Sequence, residues 1–519
     1  MTGDQSRRDV LIAAGAAGIS MAAGPGFSQT AGAPDAFAYR GAGALAADLA
    51  ARKVSSVELV NAAIARIEAL DGKLNAVVVR DFENARATAA EADAALAKGE
   101  RKPLLGVPMT VKEAFNVAGL PTTWGVPGAK GRLVADDAVT VERLKAAGAI
   151  ILGKTNVPFM LSDWQSYNEI YGTTNNPWDV TRTPGGSSGG AAAALAAGFV
   201  PLELGSDIGG SLRVPAHFCG VFAHKPTHAL VPSRGHAPPG APALPVEVDL
   251  NVVGPMARSA DDLALALDVL AGPDVPVSTA YRLALPPPRH DKLGDYRVLV
   301  IDTHPLLPTG TAVRDAIERL ADLLAKAGAK VVRSSPLLPD LTTIARTYQT
   351  LLGGFLGADI PIEMYGRMQL GAAALAVDDN GLDAVTTRGF IASHRDWVWA
   401  DRARNGLAAR WRAVFGAFDV VVCPVMPTPA FPHDHSEQRT RKIDIDGTPA
   451  AYLHQTVWPG VATLTGQPAT AVPIGRADNG LPVGAQVIGP YLEDRTTIAF
   501  AGLIEREFGG FVPPPGYGG

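Results

Sequence analysis

Two serines wrapped in glycine are the residues of this chain best suited to covalent chemistry: Ser187 in Gly185-Gly186-Ser187-Ser188-Gly189-Gly190, and Ser211 in Asp207-Ile208-Gly209-Gly210-Ser211-Leu212-Arg213. Glycines beside a serine permit backbone conformations and close approaches that a side chain blocks. A serine hydroxyl attacks a carbonyl efficiently only when a base takes its proton. Four histidines, His217, His224, His228 and His236, follow in sequence, but no motif places any of them as that base. The remaining base is a lysine, and Lys112 closes the strand-like run Gly106-Val107-Pro108-Met109-Thr110-Val111. Lysine accepts a proton only when neutral, so its pKa must fall from about 10.4 to about 7, at a cost of roughly 4–5 kcal/mol that the fold must enforce. Such a lysine must be buried, near donors and away from compensating carboxylates. On residue type alone, either serine could be the attacker.

Two better-known patterns are present in letters only. Gly148-Ala149-Ile150-Ile151-Leu152-Gly153-Lys154-Thr155 fits the phosphate-binding G-x-x-x-x-G-K-T form, yet its middle residues read as an apolar strand rather than a loop whose amides cradle phosphate. Gly185-Gly186-Ser187-Ser188-Gly189 fits the G-x-S-x-G nucleophile elbow, which must follow a buried strand. Asn176-Pro177-Trp178-Asp179-Val180-Thr181-Arg182-Thr183-Pro184 precedes it, and no strand is legible there. Neither H-E-x-x-H nor S-x-x-K occurs.

The elements that must position these residues alternate between helices and short buried strands, the α/β pattern. Ser55-Ser56-Val57-Glu58 has capping-box form ahead of a helix, and residues 82–98, 137–147, 312–327 and 493–507 read as further helices. Ser259-Ala260-Asp261-Asp262 caps another. Strands are expected at 106–113, 149–152, 297–301, 418–423, 469–474 and 484–488, with a helix then a strand between the two serines. Residues from about 339 to 415 are mainly helical. No repeat or interdomain linker interrupts the pattern, so one large domain, 34–519, with a helical excursion is expected.

The chain has 519 residues, of which 47% are hydrophobic, ample for a sizeable core. Its formal net charge of −5 provides no basic field for nucleic acid. Residues 1–33 differ from the rest: Arg7-Arg8 precedes a Gly/Ala-rich apolar run and then Ala31-Gly32-Ala33, the layout of a twin-arginine-type signal peptide. That layout predicts removal near Ala33 and a periplasmic or secreted protein, with no membrane association after cleavage. Cys219 and Cys423 are the only cysteines and are expected as buried free thiols. Neither has metal-ligand spacing.

The chain resembles the amidase signature hydrolases. The resemblance is carried by Gly106 to Lys112, by Gly148 to Asn156, and by Asn176-Pro177-Trp178 with Gly185 to Gly190. It continues through Asp207 to Ala216, Lys225-Pro226-Thr227 and Gly480-Leu481-Pro482-Val483-Gly484-Ala485-Gln486. It implies a large central mixed β-sheet covered by helices on both faces, a single domain, no cofactor and no metal. It also implies a Ser–cis-Ser–Lys triad. Ser211 is the nucleophile, Ser187, preceded by a cis peptide bond, relays the proton, and Lys112 is the base. The backbone amides of Ile208, Gly209, Gly210 and Ser211 form the oxyanion hole, and water resolves the acyl-enzyme. Glu113 stands where the family commonly has Asp.

Several neighbours take supporting readings. Ser188 is read as a cap of the following helix, and Asp207 with Arg213 as a local ion pair. Met160, Trp164 and Tyr167 are candidates for an acyl pocket or for core. The expected partner is a small-molecule amide, with a homodimer left open. Competing readings are the glutaminase subunit of a tRNA-dependent amidotransferase and a catalytically inactive binding protein on the same fold.

Overall fold

Lys112 ends a strand of an 11-stranded sheet. In chain order the sheet strands are β1 (Val77–Arg80), β2 (Pro108–Lys112), β3 (Ile150–Thr155) and β4 (Leu202–Asp207). These are followed by β5 (Phe222–Lys225), β6 (Val252–Ala257), β7 (Arg297–Val300) and β8 (Lys330–Val332). The last three are β9 (Val420–Pro424), β10 (Ala469–Arg476) and β11 (Pro482–Ile488). Their spatial order is β1-β3-β2-β4-β6-β5-β10-β11-β9-β7-β8. The sheet is mixed: β2 runs parallel to both β3 and β4, whereas β6 pairs antiparallel with β4 and β5. This is a computed structural model, describing residues 37–518; the leader read over 1–33 lies outside the described residues.

Every residue of β2, β3, β4 and β9 is buried. The apolar runs of β9 and of the first half of β3 are those expected of buried strands, whereas β4, Leu-Glu-Leu-Gly-Ser-Asp, buries polar side chains as well. The covering helices show the complementary stripe. In Thr311–Lys326 the buried positions Val313, Ala316, Ile317, Leu320, Ala321 and Leu324 recur at three- and four-residue spacing. Ser55 and Glu58 complete the expected capping box on Ser56–Leu70, and Ser259 accepts from the Asp262 amide. Helix α1 (Gly189–Ala196), between the two serines, is buried on all sides, which its run of alanines allows.

Four strands of the sheet were illegible in the sequence, among them β8, which is only three residues long. β1 is only four residues long. β5 contains the buried polar pair His224 and Lys225, and β6 contains Gly254 and Pro255, residues that argue against a central strand. Past α2 (Arg213–Cys219), the section around 339–415 holds four helices: α3 (Leu341–Gly357), α4 (Ile362–Ala373), α5 (Leu382–Phe390) and α6 (His394–Ala417). Cys219 and Cys423 are both free and buried. Among the described residues no helix is long and apolar enough to cross a membrane.

Candidate active site

The fold brings Lys112 onto Ser187. Because β2 lies between β3 and β4, the lysine at its end is fully buried, and its Nζ donates to Ser187 Oγ at 2.6 Å and to Ser206 Oγ at 2.9 Å. The Gly186–Ser187 peptide bond is cis. Gly186 is required by close approach: a Cβ there would stand 2.3 Å from the Asp163 carbonyl oxygen. Ser211 lies in the turn between β4 and α2, and the two serine segments are joined by a hydrogen bond from the Ser188 amide to the Ser211 carbonyl, 3.2 Å. Both hydroxyl-bearing residues are nearly buried, Ser187 at 2% and Ser211 at 6% exposure, so water reaches them sparingly.

Asp207 and Arg213 are the frame of that turn. Arg213 grips the carboxylate with two nitrogens, Nε to Oδ2 at 3.0 Å and Nη2 to Oδ1 at 2.9 Å, and both side chains are fully buried. Arg213 also donates to Gln486 Oε1, the Pro459 carbonyl and Thr463 Oγ1. Asp207 in turn accepts from the Gly210 and Leu212 amides, at 2.8 and 3.2 Å. Burial pushes the Asp207 carboxyl up, but Arg213 outweighs it and holds the group below the usual carboxylate range. Gly210 has φ of 98°, and a Cβ there would stand 2.7 Å from Pro459, so this turn accepts glycine alone without strain.

The expectation of a lysine far from carboxylates is corrected. Burial lowers Lys112, and Asp207 and Glu203 partly oppose it, leaving its pKa at about 7. Neither carboxyl is a free counter-charge. Asp207 is already paired with Arg213, and burial pushes Glu203 up to about 8, so it is largely protonated at neutral pH. Thr110 donates to Glu203 Oε1 at 2.5 Å across the β2–β4 pairing.

Other sequence readings land differently. Ser188 occupies the N-cap of α1 but makes no capping bond; its hydroxyl instead donates to the Ser206 carbonyl at 3.4 Å. The Gly210 amide, read as an oxyanion donor, is already engaged by Asp207. Trp164 is buried and donates from Nε1 to the Gly209 carbonyl at 3.0 Å, so it braces the turn that carries Ser211. Tyr167 stacks on His435 with ring centroids 3.7 Å apart, and Met160 is half-buried beside Trp124. Glu113 accepts from the Thr123 and Trp124 amides and from Tyr171, away from Lys112. Lys154 is near the end of a strand, and its ammonium meets Pro121 and Thr122, consistent with rejecting a phosphate loop.

None of the four histidines hydrogen-bonds either serine. His217 meets Gly484 and Thr428, His224 meets Thr470 and Asp494, and His228 meets Val248. His236 packs on Phe115 and Trp124, where burial lowers its pKa to about 3. Among the described residues no three or more His, Cys, Asp or Glu side chains gather as metal ligands.

Sequence reasoning missed Ser206, Glu203 and Tyr348. Ser206 directly precedes Asp207 on β4, but nothing marks one strand serine as a lysine partner. Tyr348, on α3, donates to the Ile208 carbonyl at 2.7 Å from 140 residues away, a contact with no local signal.

Comparison with known proteins gives the family and the fold. The model of the Amidase family matches residues 58–498. A glutamyl-tRNA(Gln) amidotransferase subunit from Anaeromyxobacter sp. (strain K) is 35% identical over 493 residues, covering 90% of this chain and 96% of that protein. A crystal structure of an amidase superposes with a TM-score of 0.70 at 27% identity, covering 90% of this chain and 99% of that one. Another structure, an inhibitor-bound complex concerned with the evolutionary origins of an s-triazine catabolic enzyme, gives a TM-score of 0.76 at 29% identity over 91% of this chain and 100% of that one. The family match spans the sheet, both serine turns and Lys112, and the chain belongs to the amidase family of amide-bond hydrolases.

Proposed function

We propose that the protein hydrolyses a carboxamide to the carboxylic acid and ammonia or an amine through an acyl-enzyme on Ser211. The observation that carries this reading is the fully buried Lys112 with Nζ 2.6 Å from Ser187 Oγ. In the working state neutral Lys112 accepts the proton of Ser187, Ser187 takes that of Ser211, and Ser211 Oγ attacks the amide carbon. The developing oxyanion is met by the amides of Ile208, Gly209 and Ser211, with that of Gly210 held by Asp207. The relay returns a proton to the leaving nitrogen, which departs as a neutral amine. Water then attacks the ester, its proton passing to Ser211 as the acid leaves. We also propose export, based on the twin-arginine-type leader.

Release of ammonia from a panel of aliphatic, aryl and peptide-terminal amides tests the reading. Wild type turns over at least one class, while Ser211→Ala abolishes turnover; a variant keeping about a tenth of kcat would remove Ser211 from the nucleophile role. The 35% identity to an amidotransferase component favours a second reading, a glutaminase working inside a multi-subunit complex. Co-purification with partner proteins and glutamine-restricted activity distinguish it.

A further inference from the structure

The two carbonyls immediately before the Gly210-Ser211 pair are each held by a side chain from a distant part of the chain. Tyr348 Oη donates to the Ile208 carbonyl at 2.7 Å, and Trp164 Nε1 donates to the Gly209 carbonyl at 3.0 Å. In a planar trans peptide the C=O of one residue and the N–H of the next point in opposite directions. Fixing these two carbonyls therefore fixes two successive peptide planes and aims the Gly209 and Gly210 amides to the other side. The Gly210 amide is found there, on Asp207 Oδ1. The Gly209 amide is the one this arrangement aims without an assigned acceptor.

Both donors are braced. Tyr348 is fully buried, and its ring packs so closely on Gly460 that a Cβ there would stand 2.8 Å from Tyr348 Cδ1. Trp164 leans on Tyr452 with centroids 5.3 Å apart, and Tyr452 is itself tied to Asp163 at 2.5 Å. Glycine has the widest backbone freedom of any residue, so a Gly-Gly turn needs such external restraint to hold one orientation. Pre-set donors stabilise an oxyanion because they need no reorganisation during reaction.

We infer that Tyr348 and Trp164 are positioning residues of the oxyanion turn, holding the Ile208 and Gly209 peptide planes so that the Gly209 amide faces the developing oxyanion. The inference rests on the Ser211 acyl-enzyme reading. It also makes α3, in the helical section, a physical part of the catalytic turn through Tyr348.

The test compares wild type, Tyr348→Phe and Trp164→Phe on an ester and its thiono ester, with rates normalised to the Ser211 sites titrated by a fluorophosphonate probe. Sulfur is a poorer hydrogen-bond acceptor than oxygen, so a working oxyanion site favours the oxo substrate. The expected result for Tyr348→Phe is a loss of at least about tenfold in kcat with little change in KM, less than the roughly 10²–10³ lost with a direct donor, and a similar contraction of the oxo/thiono ratio. Trp164→Phe changes the ratio in the same sense and covers the case in which the tyrosine variant fails to fold. An unchanged ratio in either folded variant overturns the inference, because a purely structural role lowers the number of active sites or the melting temperature, not the ratio. A wild type that is labelled elsewhere than Ser211 overturns the parent reading instead, and is recognised before any variant is made.

Discussion

Lys112 is neutral or charged according to pH, and both its activity and its effect on stability follow from that. With its pKa lowered to about 7, the base form grows as pH rises, so kcat/KM should climb through pH 7 and then level. Lys112→Ala should leave a weak, steeper dependence at high pH; a flat and unchanged profile would refute the lysine base. The stability effect has a definite sign. Between pH 7 and 10.5 the unfolded chain binds the proton that the folded lysine lacks, so stability rises with pH across that window and the penalty is full below it. Lys225, at about 7, and Lys154, at about 8, act in the same sense. Glu203 acts oppositely, its stabilisation fading as pH rises from 4.5 towards 8. Urea unfolding should therefore show Lys112→Met gaining relative to wild type at pH 7, with the gap narrowing at pH 9.

The strand and turn elements carry the site because they are packed without slack. Arg213→Met would strand the buried Asp207 carboxylate and should cost about 3–5 kcal/mol, read from the denaturation midpoint, since removing one partner of a buried pair leaves an uncompensated charge. Gly186→Ala meets the Asp163 carbonyl at 2.3 Å and should destabilise the serine turn by roughly 1–3 kcal/mol while reducing turnover. Much of this level was legible in the sequence. The capping box at Ser55, the Ser259 cap, the apolar strand runs and the glycine pattern around Ser187 and Ser211 are local signals, and local physics decides them. β5 and β6 were not legible, because their buried His224, Lys225 and Pro255 are tolerated only through tertiary partners such as Asp494. The bracing of the Ser211 turn by Trp164 and Tyr348 was likewise invisible, since both bonds join residues far apart in sequence.

At the scale of the whole molecule, one 11-stranded sheet sets Lys112 at the end of β2 and Ser211 in the turn after the neighbouring β4, while Ser187 meets Lys112 from just ahead of α1. The family resemblance implies separate roles for the two serines because it reads the spaced motifs together, whereas residue chemistry alone left both as candidates. The two cysteines, buried and unpaired, should react with a thiol reagent only on unfolding, and with a stoichiometry of two. An exported form should begin near residue 34 on N-terminal sequencing; one that begins at Met1 would refute the leader.

Rapid quenching of wild type with a hydrolysed amide, followed by peptide mass spectrometry, tests the central claim most directly. The account predicts the acyl group on Ser211. An acyl group found on Ser187, or none on any residue during burst-phase turnover, would contradict it.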